Sequence, residues 1–472
     1  MRNLARFSSM LGLAAAVVLP PLGAALAAQD WTTYAFDNQR TGYNPGETTL
    51  DTKNVGQLKR QWSTGLGGPS ITQPLVATGV ATAHGTRDLV YVGTQSGALL
   101  ALDRRTGAVA WRKQLGAVAP CSTDHFGVNG TPVLDRGRHR LFATDGRNQL
   151  HALDEATGGE LAGWPVTVAD PNTDHVWAGM TEAGGSLYVA TAGSCEDRGL
   201  YRGRVVRVDI AAHKVAGTWF VNGADGPFGG GIWGSGGLSV EADGSALYAA
   251  TGNSKGKPQS GGYSEHVVKL TPGLAVVAAN YPGLKGPDVD FGATPTLYRP
   301  SASCPAELAV MNKTGALLIY DRASVGKGPR QRIQIGDARL GDYGDFIMNP
   351  AYDPNLHLLY VNATTASSAG TYKSGVIALK TTGCSLAPAW HHDLPGGSSV
   401  TDYPSVTPTL ANGVAYVIRS NDSVAYAFDA ATGAQLWSSG GQIAGGIFAA
   451  ATVANGQVLV SSYGGRLYAF GL

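Results

Sequence analysis

No Cys-x-x-Cys-His stretch occurs anywhere in the 472 residues, so no haem is attached in the c-type manner. Charge is sparse and balanced, with 35 Lys and Arg against 34 Asp and Glu and a formal net charge of +1. That balance gives no electrostatic footprint for nucleic acid or for an anionic membrane surface. Low-complexity linkers are missing, and nothing marks a second folded domain. A membrane anchor is missing too. The apolar run from Met10 to Val18 is short and is soon interrupted by Pro20 and Pro21. Arg2 and Arg6 precede it and Ala25-Leu26-Ala27 follows, so residues 1–28 read as a cleavable secretory signal peptide. No cysteine follows the cleavage region to carry a lipid. The expectation is an exported chain, periplasmic or secreted, whose mature part spans residues 29–472.

What the chain does have is a repeat. Eight segments begin mostly with a small residue, run through two or three apolar positions and end mostly on aspartate. They are Gly97–Asp103, Asn148–Asp154, Gly203–Asp209, Glu265–Thr271, Gly315–Asp321, Ser374–Lys380, Ser423–Asp429 and Gly465–Gly471. Their period is about 40–60 residues, the spacing of successive four-stranded blades in a propeller. The fold class is therefore all-β, an eight-bladed propeller of four-stranded antiparallel blades. Glycine is abundant, at 66 residues, and turn residues bound each short β-branched or aromatic stretch. Thr106-Gly107, Thr157-Gly158 and Thr432-Gly433 mark hairpins leading to an outer strand. That strand commonly carries tryptophan: Trp111, Trp164, Trp219, Trp390 and Trp437.

The last repeat stops at Leu472, one strand short of a blade. Leu58-Lys-Arg-Gln-Trp62 has the outer-strand signature, so the N-terminal strand is expected to complete blade eight and leave no open seam. Four cysteines in an oxidising compartment imply two disulfides. Cys121 and Cys195 fall in loops on the channel-mouth face, and Cys304 and Cys384 fall in loops on the opposite face. Cys121–Cys195 and Cys304–Cys384 is the expected pairing.

A propeller usually works at the mouth of its central channel, so the informative residues are those that break the repeat there. Phe228-Gly-Gly-Gly-Ile-Trp-Gly234 opens blade four, with Gly231 and Gly234 allowing close backbone approach and Trp233 offering a flat floor. Ala250-Thr-Gly-Asn253 follows the second strand of that blade. Pro287-Asp-Val-Asp290 opens blade five, and Asn312-Lys-Thr-Gly315 forms its upper loop. Trp233, Asn253, Asp288, Asp290 and Lys313 would thus converge from neighbouring blades. The competing reading makes Trp233 a channel plug, Asn253 a turn cap, and the charged residues solvated loop positions. His125, His175, His391 and His392 have no metal-ligand spacing and read as satisfied loop or surface residues.

These segments, with Asp30-Trp-Thr-Thr-Tyr34 and Arg40-Thr-Gly-Tyr43, resemble the pyrroloquinoline quinone (PQQ) dependent alcohol dehydrogenases. The resemblance looks closest to the shorter members typified by polyvinyl-alcohol dehydrogenase, here without a cytochrome domain. It implies that Trp233 stacks beneath PQQ, and that Lys313 binds the quinone oxygens. It also implies that Asn253 binds Ca2+ or a lanthanide, and that Asp288 or Asp290 is the base. The metal-binding glutamate matches Glu196 only at shifted spacing, and the adjacent cysteine pair of the family is absent. A hard cation with oxygen ligands suits Asn253, Glu196 and Asp288. The function implied is oxidation of a small-molecule or polymeric alcohol, or a sugar-like substrate. Electrons would pass to an external cytochrome or quinone. The alternative is a non-catalytic propeller serving as a protein-interaction scaffold in the cell envelope. A hydrolase or carbohydrate-binding propeller has no supporting motif.

Overall fold

A computed structural model describes Met1 and residues 29–122, 125–195, 200–254, 262–286, 288–337, 346–368, 371–394, 406–420 and 422–472. The signal segment beyond Met1 and Glu196 lie outside the described residues. Eight sheets follow one another along the chain, each built on four antiparallel strands. Their third strands, from Ala98–Asp103 in blade one to Arg466–Gly471 in blade eight, are the eight copies of the repeat. Burial explains the pattern: five or six successive positions of a third strand are covered when blades pack face to face. Among the described residues no helix is long and apolar enough to cross a membrane.

Blade eight closes as expected. Lys59–Gly65 pairs antiparallel with Arg466–Gly471, so the outer strand runs three residues beyond the expected Leu58–Trp62. In blade two, Trp164 stands just ahead of the short outer strand Val166–Thr167. The tryptophans tie one blade to the next. Trp62, Trp111 and Trp390 donate their indole N–H to the carbonyls of Arg104, Glu155 and Ala430 in the following blade, at 3.0, 3.0 and 2.9 Å. Each indole also lies on the hairpin glycine of that blade. A Cβ on Gly107, Gly158 or Gly433 would come within 2.5–2.7 Å of the ring, and all three have positive φ. The Thr-Gly turns are therefore docking surfaces as well as turns.

An N-terminal cord, residues 31–44, runs across the inner strand of every blade in turn. Trp31 bridges Val76 in blade one, and Thr32 accepts from Leu134 N in blade two at 2.9 Å. Asn38 bonds Glu182 O in blade three at 2.8 Å and accepts from Val240 N in blade four at 2.8 Å. Gln39, Thr41 and Gly42 then accept from Leu297, Tyr352 and Leu410 in blades five, six and seven. Asn44 ends the round on Val453 O of blade eight at 2.8 Å. Arg40, fully buried, donates to the carbonyls of Leu238, Tyr34 and Met180 and to the hydroxyls of Thr33 and Thr181. Burial pulls its pKa down to about 10, with Asp37 opposing, so the guanidinium stays charged at neutral pH.

Both disulfides form with the expected pairing, Cys121–Cys195 and Cys304–Cys384. The second joins blades five and six on the face away from the mouth. Cys304→Ser/Cys384→Ser is expected to lower stability by about 2–4 kcal/mol in reversible denaturation. Ligand binding at the mouth should be unchanged in that variant.

Candidate active site at the channel mouth

The floor of the site is a ribbon between blades three and four. Gly230 N donates to Asn253 O at 2.6 Å, Gly252 N to Gly231 O at 2.7 Å, and Ile232 N to Thr191 O at 3.1 Å. Trp233, partly buried, lies with its indole nitrogen against the glycine backbones. A Cβ on either Gly231 or Gly252 would stand 2.7 Å from that nitrogen, so only glycine admits the ring there. At Gly234 a Cβ would meet the Thr294 amide nitrogen at 2.4 Å, because blade five passes directly behind it. The indole N–H of Trp233 is buried and has no hydrogen-bond partner among the described residues, and Thr191 Oγ1 beside the ribbon has none there either.

Lys313 sits between two carboxylates. Its ammonium is 2.8 Å from Asp288 Oδ2 and 3.0 Å from Asp290 Oδ2. Asp290 Oδ1 accepts the Asn253 N–H at 2.5 Å, and Asp288 Oδ1 accepts the Asp290 N–H at 3.0 Å. The Asn312 side chain clamps this stretch to the upper loop of blade five through Val289 O and Asp290 O, at 2.8 and 3.0 Å. Blades four and five are thereby locked together, and Trp233 meets the triad across Gly252, whose Cβ would stand 2.4 Å from Asp290 Oδ1. Asp290 is the more buried acid, its side chain 5% exposed against 22% for Asp288. Burial holds Asp290 above the ordinary carboxylate range, with the Lys313 charge pulling the other way. Burial alone would lower Lys313, but the charges of Asp290 and Asp288 outweigh it and hold the ammonium above its usual value.

Trp233, Gly231, Gly234, Asn253, Asp288, Asp290 and Lys313 are thus gathered at one place, as the repeat-breaking segments suggested. Several neighbours escaped the sequence reading. Trp177 and Tyr201 present their rings 6.3 and 6.0 Å from Trp233. Trp177 also meets Phe126 edge-on at 4.8 Å, and Phe126 stacks on His175 at 3.7 Å and 8°. The reading of His175 as a satisfied loop or surface residue fails. It lies fully buried in the short strand Asp174–His175, and neither ring nitrogen has a partner among the described residues. Burial lowers its pKa to about 4, so the imidazole is neutral at physiological pH. Glu265 also belongs near the triad: burial, then the Asp290 charge, raises its pKa. Its signal was available, since Glu265 is the one large acid opening a repeat copy, at a turn position with φ of 60° where other copies have Gly, Asn or Ser.

The donors at this site are oxygen atoms, indole and ammonium. Among the described residues no three His, Cys, Asp or Glu side chains converge to hold a metal. Asn253 has a side chain that bonds no described residue, whereas both Asp288 oxygens are already engaged, by the Asp290 N–H and by Lys313. The glycine cradle, the unpartnered Trp233 N–H and the Lys313 ammonium suit a flat, oxygen-rich ring.

Residues 31–183 match the family model for the glucose/ethanol/alcohol dehydrogenase β-propeller domain, and residues 360–472 match that for outer membrane protein assembly factor BamB. A polyvinylalcohol dehydrogenase of Pseudomonas sp. is 26% identical over 510 residues, which cover 95% of this chain and 75% of that protein. The chain is an eight-bladed propeller similar to those of the PQQ-type alcohol dehydrogenases. Its fold overlays a europium-containing methanol dehydrogenase with a TM-score of 0.72 at 17% identity, over 94% of this chain and 98% of the other. BamB from Moraxella catarrhalis overlays less closely, with a TM-score of 0.56 at 14% identity over 88% and 98% of the two chains. Within this propeller, the pattern-breaking segments of blades four and five meet through Asn253, Asp290 and Lys313.

Proposed function

We propose that the protein is an exported quinoprotein dehydrogenase that oxidises a small or polymeric alcohol, or a sugar-like substrate, to the carbonyl compound. The observation that carries this reading is the buried, unpartnered Trp233 indole beside the Asp288–Lys313–Asp290 cluster. Trp233 would hold PQQ against its ring, and Lys313 would reach the quinone oxygens. Asn253, Asp288 and Glu196 are the residues to hold Ca2+ or a lanthanide, hard cations that take oxygen ligands. When bound, PQQ supplies the two-electron acceptor for the hydride equivalent leaving the carbinol carbon. The protein's own part is the proton. Asp290, whose carboxyl burial holds above the ordinary range, accepts the proton from the substrate hydroxyl. Asp288 stays 2.8 Å from the Lys313 ammonium while that happens, so a second carboxyl group still faces it. Electrons pass on to an external cytochrome or quinone. Two disulfides support an oxidising compartment, in keeping with a signal peptide over residues 1–28.

The test is binding of PQQ to the apo-protein with and without Ca2+ or a lanthanide, followed by calorimetry and by the quinone absorbance. Trp233→Ala is expected to weaken binding about tenfold or more, the scale of one flat ring stacked on an aromatic side chain. Asn253→Ala should weaken the dependence on the cation. A scaffold role without catalysis is the second reading, favoured by the match of residues 360–472 to BamB. Failure to bind PQQ at high concentration with either cation would decide for it.

A further inference from the structure

Across the mouth from this site, blade eight presents two aromatic rings to solvent. Phe448 is 41% exposed and Tyr463 is 44% exposed. They meet edge to face, with ring centroids 5.6 Å apart and planes at 87°. Both stand on the same loop classes that carry Trp233 and Lys313: Phe448 in the loop entering its blade, Tyr463 between the second and third strands. In an eight-membered ring blade eight lies opposite blade four, so the pair and the Trp233 floor face each other over the channel opening.

The rings are fixed rather than loose. Ile447 N donates to Ser420 O at 2.8 Å, Gly446 N to Ser423 Oγ at 2.8 Å, and Tyr463 N to Gly446 O at 2.9 Å. Gly445 and Gly464 cross so closely that a Cβ on the first would stand 2.4 Å from the Cα of the second. The Phe448 ring edge lies 3.0 Å from where a Gly446 Cβ would be, so the ring packs directly on that glycine. Neither loop contains a charged residue between positions 440 and 451 or between 462 and 465. The charged groups that flank the loops are already engaged, Arg419 with Asp422 and Arg466 with Ser63, which leaves the rings as the recognition surface. A neutral chain with apolar and hydroxylated faces finds ring faces for its C–H groups and the Tyr463 hydroxyl for its oxygens.

We propose that Phe448 and Tyr463 form a distal subsite for a neutral polymeric alcohol whose reacting unit lies over Trp233. This rests on the dehydrogenase reading above. It adds that the mouth grips a long chain at two opposed points, while a short alcohol touches only the reacting end. The pair is then a determinant of chain-length preference.

The experiment compares poly(vinyl alcohol) with pentane-2,4-diol, its two-unit fragment, in dye-linked oxidation by the PQQ- and Ca2+-loaded protein. Phe448→Ala/Tyr463→Ala is expected to raise KM for the polymer roughly tenfold and to leave KM for the diol and kcat for both unchanged. Phe448→Tyr/Tyr463→Phe, which keeps both rings, should restore polymer KM. In parallel, apo-protein is run through a native gel containing poly(vinyl alcohol), where retardation should be lost in the double alanine variant. Equal KM changes for both substrates, or a polymer KM and retardation that ignore the substitutions, would overturn the subsite and leave the dehydrogenase standing. Without turnover on either substrate the dehydrogenase reading falls, and the gel alone then decides the subsite: ring-dependent retardation upholds it and ring-independent migration removes it.

Discussion

Asp290→Asn is expected to lower the rate of dye-linked alcohol oxidation by roughly 100- to 10,000-fold, the usual consequence of losing a positioned base. PQQ affinity should stay close to the parental value, because Trp233 and Lys313 remain. The carboxamide oxygen can keep the Asn253 N–H, but the amide nitrogen cannot accept a proton from a substrate hydroxyl. Asp288→Asn should behave differently. Asp288 is more exposed and already engages Lys313 and the Asp290 N–H, so its loss should change the cation preference more than the rate. The pH profile adds a check. Burial raises Asp290, so the acid limb of kcat/KM in the parental protein should lie above the ordinary carboxylate range. Parental rates in Asp290→Asn, or an acid limb at the pH of an ordinary aspartate, would remove Asp290 from the base role.

The propeller was legible because its signal is covalently periodic. Third strands buried on both faces write the same short apolar run eight times, whatever the loops do. The disulfides were legible for a related reason, since blade topology alone assigns each cysteine loop to a face. Site residues on repeat-breaking segments, such as Trp233 and Lys313, stood out against that regular background. What stayed hidden depends on contacts between distant segments. Nothing in Asp37-Asn-Gln-Arg-Thr-Gly42 announces that its backbone will bond blades five, six and seven in order. His175 looked like an ordinary loop polar residue because burial is a property of neighbours. Phe126 covers one face of its ring, and an extra strand pairing with Ala192 holds its backbone. Glu265 was the exception, visible as a departure from the repeat but masked by its place inside a regular strand motif.

Lys313→Met should cost about 3–5 kcal/mol of stability at neutral pH, the scale of leaving buried charge without its partner. The shape is conserved, and the lost interaction is that of one ammonium with two carboxylates 2.8 and 3.0 Å away. Its pH dependence separates this cause from simple loss of packing. In the variant the burial that already raises Asp290 acts without the opposing Lys313 charge, and Asp288 adds repulsion. The folded state then binds a proton at Asp290 more tightly than the unfolded chain, where an aspartate titrates near about 3.9. Unfolding therefore releases a proton across that window, and stability rises as pH falls through the raised folded value. The stability difference between parent and variant should shrink on going from pH 8 to pH 5, measured by urea denaturation at both. Other carboxylates weaken both proteins on acidification and cancel in the difference. A gap that is constant with pH would point to packing, and a gap that widens in acid would show that the Lys313 charge does not pull Asp290 down. In either case the proton-accepting role of Asp290 would lose its electrostatic basis.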